Sequence, residues 1–109
     1  MCAEFWDGWF DWWGGHHHTT SAKDAAAELD ALEGRMDCVL VDAPCSGSGT
    51  WRRNPESRWR LTPQRLDRLV QLQRRLLDIG AERVRPGGAL VFAICSLLAR
   101  EGAGQVELF

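Results

Sequence analysis

The stretch Cys38-Val39-Leu40-Val41-Asp42-Ala43-Pro44-Cys45-Ser46-Gly47-Ser48-Gly49-Thr50 decides the fold. Its first four residues form a short apolar run rich in β-branched side chains and closed by Asp42, the pattern of a buried parallel strand. From Ala43 to Thr50 the chain cannot be regular structure, because Pro44, Gly47 and Gly49 interrupt it. A buried strand that opens directly into a glycine-rich loop has functional meaning. Open parallel α/β sheets place their ligand sites just beyond the carboxyl ends of their strands.

Downstream, Trp51 to Leu61 reads as a basic loop broken by Pro55. Thr62-Pro63 is an N-cap followed by proline at the first helical position. The predicted helix runs from about Pro63 to Val84. Leu66, Leu69, Val70, Gln73, Leu76, Leu77, Gly80, Ala81 and Val84 share one face, with Arg65, Arg68 and Arg75 mostly off it. Pro86-Gly87-Gly88 ends that helix, and Ala89 to Ile94 is a second apolar strand closing on Cys95-Ser96. This strand, helix, strand order leaves a crossover long enough for parallel pairing. Paired as neighbours, the two strands bring Asp42, Pro44 and Cys45 to one crevice with Cys95 and Ser96. Cys38 lies within its strand and reads as packing. Cys45 has only Pro, Ser and Gly around it, and Cys95 alone fits either packing or chemistry.

Upstream, Ala22 to Leu32 is alanine-rich with interleaved acids, a short helix stopped by Gly34. Residues 1–21 differ in kind: Phe5, Trp6, Trp9, Phe10, Trp12 and Trp13 crowd together, followed by Gly14-Gly15 and His16 to His18. A histidine run of this sort is more often low complexity than a metal site, and no metal is expected. We divide the chain into an atypical leader, 1–21, and a folded α/β portion, 22–109.

The whole chain has 109 residues, 45% hydrophobic and 26% charged, with a formal net charge of −2. That composition fits a globular chain and argues against general disorder. The longest uncharged apolar run, Gly87 to Leu98, falls short of the roughly 20 residues that cross a bilayer. No basic-then-apolar signal precedes the fold, so the cytoplasm is the default. Four cysteines without a CxxC pair make neither a disulfide scaffold nor a zinc knuckle. The near-neutral total hides an asymmetry. Residues 1–36 carry seven acids against two bases, while Trp51 to Arg75 carries eight arginines against Glu56 and Asp67. Arginines with interspersed tryptophans suit a phosphate backbone, since the guanidinium fork pairs with phosphate and stacks on bases. A solvated helix face would look the same by charge alone.

The run Asp42 to Thr50, the following Arg52-Arg53-Asn54-Pro55 and Trp59, the Gln73-x-x-Leu76-Leu77 helix, Pro86-Gly87-Gly88 and Cys95-Ser96 resemble the Sun-type (RsmB-like) RNA cytosine-C5 methyltransferases. The resemblance covers roughly Asp24 to Phe109. It implies a partial Rossmann-like parallel sheet with flanking helices, S-adenosylmethionine as cofactor and an RNA substrate, with ribosomal RNA favoured. It also supplies a use for two cysteines. Position 5 of cytosine is a poor nucleophile until a thiolate adds at position 6, and such a thiolate needs positive charge or amide dipoles nearby. By resemblance Cys95 is the nucleophile, Cys45 assists product release, and Asp42 contacts the base or cofactor. Main chain around Pro44 would meet the base edge, and Arg52, Arg53, Arg58 and Arg60 the RNA phosphates. Asp24 stands where the family's acidic residue near the adenine is expected. Trp51 and Trp59 are expected to stack on bases or cover the loop, with Trp59 favoured as core, and Ser96 as a strand-end hydrogen bonder.

Three departures qualify the resemblance. The family's glycine-rich cofactor turn has no counterpart before Ala22, so the expectation is the base-side part of a site with weak cofactor binding of its own. Ile94 stands where threonine usually precedes Cys-Ser. Glu101 is followed by Gly102 where a Glu-Asn pair is usual. The rival reading is a noncatalytic RNA-binding chain working through the arginine-rich loop and helix. A thiol hydrolase ranks below both, because it needs a partnered histidine and all three lie in 1–21.

Overall fold

The computed structural model describes residue 27 and residues 29–109. The leader 1–21 and Asp24 lie outside the described residues. Of the helix expected over Ala22 to Leu32, residue 27 and residues 29–32 are described; 27 and 29–31 are helical, and Leu32 begins the turn that carries Gly34 at φ 61°. The elements that follow are β1 (Met36–Asp42), a 3-10 turn (Ser48–Thr50), α1 (Glu56–Trp59), α2 (Pro63–Arg83), β2 (Val84–Ala93) and α3 (Ala103–Leu108). Strands β1 and β2 pair in parallel, Cys38 opposite Ala89 through Asp42 opposite Ala93. The chain is thus an α/β unit in which α2 crosses over between parallel neighbours.

Local signals account for α2. Thr62 has extended dihedrals, its side chain accepts from the Arg65 amide at 3.2 Å, and proline follows at the first helical position. The helix ends at Arg83, one residue before the expected Val84. Pro86-Gly87-Gly88 does turn the chain, but inside the span of β2. Four residues, 85–88, answer the single Asp37 between the Met36–Val84 and Cys38–Ala89 pairs, with Gly87 at φ 80°. The loop expected from Trp51 to Leu61 contains the single-turn helix α1.

Helix α2 lies on one face of the sheet. Leu77 and Gly80 are buried there, and a Cβ built on Gly80 would stand 2.8 Å from Val41 Cγ2 and 2.9 Å from Leu90 Cδ1. Glycine is the only residue that allows this approach without displacement. The second face corrects the expectation of fully buried strands: Cys38, Leu40 and Val91 are exposed, Leu40 by 64%. Alternate strand residues point away from α2, and no described element covers that face. For the same reason Cys38 is not a packing residue. Trp59 is corrected too. It is 82% exposed at the end of α1, with the Arg58 guanidinium 5.8 Å from its ring, because no described element packs over that turn.

Candidate active site

Both motif loops leave the sheet at the same end. Past the last strand pair, the Ala43 amide donates to the Ala93 carbonyl at 3.0 Å, and the Gly49 amide donates to the Cys95 carbonyl at 3.0 Å. A Cβ at Gly49 would lie 3.1 Å from that carbonyl oxygen, so any larger residue would push the Cys95 carbonyl back by a few tenths of an ångström. Gly47 turns the chain between them at φ 67°, in the left-handed region that costs glycine little. The Thr50 hydroxyl closes the turn by donating to the Gly47 carbonyl at 2.8 Å.

The two cysteines meet as the strand order requires. The Cys95 amide donates to Cys45 Sγ at 3.3 Å, with Cys45 half-buried and Cys95 exposed. A main-chain dipole is therefore directed at a thiol of this pair, and the thiol that receives it is Cys45. Asp42, paired with Ala93 through the main chain, is exposed, and its carboxylate has no hydrogen-bond partner among the described residues. Pro44 is also exposed, and its carbonyl already accepts from Gln73 Nε2 at 2.9 Å. Arg52, Arg53, Arg58 and Arg60 are exposed on the adjoining loop and α1, without an ion pair among the described residues. Trp51 is half-buried beside them.

Beneath the cysteines lies a polar network that residue spacing did not disclose. Glu101 is fully buried, and its carboxylate accepts four hydrogen bonds. Oε1 takes the Ser46 amide at 2.8 Å and Gln73 Nε2 at 3.1 Å; Oε2 takes the Ser46 and Ser96 hydroxyls, each at 2.5 Å. Ser96 Oγ also accepts from the Leu98 amide at 3.1 Å and lies 3.1 Å from Ser48 Oγ, which accepts from the Leu97 amide at 2.8 Å. Gln73 is fully buried in turn and receives Gln105 Nε2 at 3.2 Å. Burial by itself would raise the Glu101 pKa, but the hydrogen bonds from Ser46, Ser96 and Gln73 outweigh it and hold the carboxyl below its ordinary value. Ser96 is thus a strand-end hydrogen bonder, occupied on the carboxylate side. Gln73 stood on the expected inner face of α2, and nothing local distinguished it from its apolar neighbours. Glu101 stood in the sequence as the glutamate of the family's Glu-Asn position, but no spacing tied it to Ser46, 55 residues away.

The comparison with known proteins identifies the family. Residues 14–109 match the 16S rRNA methyltransferase RsmB/F family. The chain belongs to that family. It is 46% identical over 75 residues to ribosomal RNA small subunit methyltransferase B of Thermus thermophilus, covering 69% of this chain and 19% of the relative. The protein of the same name from Salmonella paratyphi B is 42% identical over 77 residues, 71% of this chain and 18% of its own length. The chain therefore spans about a fifth of the length of the relatives it matches. The crystal structure of PH0851 superimposes with a TM-score of 0.68 at 44% identity, covering 71% of this chain and 17% of that one. Among the described residues no helix is long and apolar enough to cross a membrane, and no group of three or more His, Cys, Asp or Glu could hold a metal.

Proposed function

We propose that this RsmB/F-family chain carries the base-side part of a site that methylates C5 of a cytosine in ribosomal RNA. The observation that supports the reading best is the Cys95 amide on Cys45 Sγ at 3.3 Å, which puts two thiols at one strand-end crevice beside Asp42. Two thiols at one base suit a reaction in which one bond to the ring must form and later break. Cys95, the more exposed of the pair, adds its thiolate to C6 of the cytosine. The new S–C6 bond turns N3, C4 and C5 into an enamine-like system with C5 as the nucleophile. Asp42 hydrogen-bonds the base as charge builds toward N3. After methylation, Cys45 assists loss of the C5 proton, and the S–C6 bond breaks to return Cys95 as thiolate. The base has to be turned out of any stack to reach the crevice, as base-modifying enzymes require.

The methyl donor implied by the family is S-adenosylmethionine, which when bound supplies an electrophilic methyl group. The described residues fit its reacting end alone. Asp42 and Cys95 leave the sheet at the same end, but the glycine-rich loop after β1 is engaged with the Cys95 loop, no second such strand-end turn is present among the described residues for an adenosine, and Asp24 lies outside them.

Cys45→Ala, incubated with ribosomal RNA and the methyl donor, should accumulate a covalent RNA adduct that survives denaturing electrophoresis. Cys95→Ala should form none. The reverse pattern would exchange the two roles. No adduct in either variant, with salt-dependent RNA binding and no labelled methyl transferred, would favour the noncatalytic RNA-binding reading instead.

A further inference from the structure

We infer that Glu101 is the positioning residue of the thiol pair, a buried carboxylate that holds the Cys45 loop and the Cys95 loop in one register. The inference rests on reading Cys45 and Cys95 as the working pair. Ser46 immediately follows Cys45 and Ser96 immediately follows Cys95, and both hydroxyls donate to the same oxygen, Oε2. Their Oγ atoms are 3.2 Å apart. Fixing two successive neighbours on one atom fixes the direction in which each cysteine Cβ leaves the main chain. The other oxygen extends the hold. Oε1 receives the Ser46 amide and Gln73 Nε2, and Gln73 also donates to the Pro44 carbonyl, so the loop before Cys45 is tied to α2.

Other links between the loops do not depend on Glu101, among them the Cys95 amide on Cys45 Sγ and the contact between the Ser48 and Ser96 hydroxyls. Gly49 on the Cys95 carbonyl and the Leu97 amide on Ser48 Oγ secure later parts of each turn. None of these links holds the Ser46 amide, so removing Glu101 releases the backbone torsions of Ser46 beside Cys45. Every bond to the carboxylate is charge-assisted, and none of the four donors carries a charge of its own. An anion thus sits below the pair, its charge spread over hydroxyl and amide dipoles.

The test reads thiol spacing directly, with neither RNA nor methyl donor. In a Cys2→Ser, Cys38→Ser background only Cys45 and Cys95 remain. Phenylarsine oxide joins two adjacent thiols through two As–S bonds, releasing one water. The background chain should bind one equivalent, resistant to monothiols and reversed by a dithiol. Glu101→Ala should raise the half-saturating concentration at least about tenfold, the equivalent of roughly one lost buried hydrogen bond. Each thiol should keep its alkylation rate with iodoacetamide. Glu101→Gln, which retains one acceptor oxygen and can donate to the serine hydroxyls, should fall between the two. A folded Glu101→Ala that captures the arsenical as well as its background would overturn the inference, as would a background chain that does not capture it. Should Glu101→Ala fail to fold by circular dichroism, Ser46→Ala and Ser96→Ala take its place, and unchanged capture in both would overturn it equally. Capture lost on schedule with no methyl transfer would leave the positioning role standing and the proposed function refuted.

Discussion

Glu101 makes the stability of the chain depend on pH in a predictable sense. Four hydrogen bonds hold its carboxyl below the ordinary value in the folded state. A group whose folded pKa is depressed binds fewer protons folded than unfolded, so it stabilises the fold above the unfolded value. That contribution should disappear as pH falls through the folded value, where both states are protonated. Urea midpoints measured from neutral pH into the acid range should therefore decline more steeply for the unaltered chain than for Glu101→Gln. Parallel curves would show that the carboxylate is not the group responsible. At this scale the candidate site was half legible. Cys45, Cys95 and Asp42 could be read because their neighbours in sequence are a strand and a glycine turn. The roles of Glu101 and Gln73 could not, since the bonds that tie them to the Cys45 loop and to each other span 28 to 55 residues and leave no local periodicity.

Between elements, the contact that sets the site is α2 against the sheet at Gly80. Two opposing effects bear on Gly80→Ala. Helix propensity favours alanine by about 1 kcal/mol, while overpacking costs about 1–3 kcal/mol. The added Cβ would meet Val41 Cγ2 at 2.8 Å and Leu90 Cδ1 at 2.9 Å, and the valine is β-branched and stiff. The clash wins, so Gly80→Ala should lower stability by about 1 kcal/mol in chemical denaturation, and Gly80→Val by more. A stabilised Gly80→Ala would mean that the helix rides further from β1 and β2. Thr62-Pro63 announced the start of α2, and the β-branched run after Met36 announced β1, because caps and strand propensity act over a few residues. Strand burial was not legible in the same way. Val39 and Val41 turn toward α2 while Leu40 turns away, and the apolar run reads identically whether or not a second layer covers Leu40. Trp59 failed for the same reason: its sequence identity says apolar, but its exposure depends on what lies over α1.

Over the whole molecule the charge is divided by engagement as much as by number. Arg83, Arg85 and Arg100 are committed to Asp30 and Glu82, to Asp37, and to Asp67 respectively. Arg52, Arg53, Arg58 and Arg60 have no such partner among the described residues and stand on the loop that leads out of the thiol crevice. An arginine already paired to a carboxylate must break that pair before it meets a phosphate, whereas an unpaired one releases counterions outright. On the proposed reading the two sets should differ in the salt dependence of RNA binding. Each lost phosphate contact on single-stranded RNA reduces the slope of log K against log salt by about 0.7. Replacing Arg52, Arg53, Arg58 and Arg60 with alanine together should flatten the slope by roughly 2 to 3. Arg85→Ala and Arg100→Ala should leave it nearly unchanged, although all six substitutions remove a positive charge. Equal effects from both sets would mean that RNA responds to overall charge alone. A loss confined to the first set would locate the RNA path beside Cys45 and Cys95, at the opening through which a turned-out base has to enter.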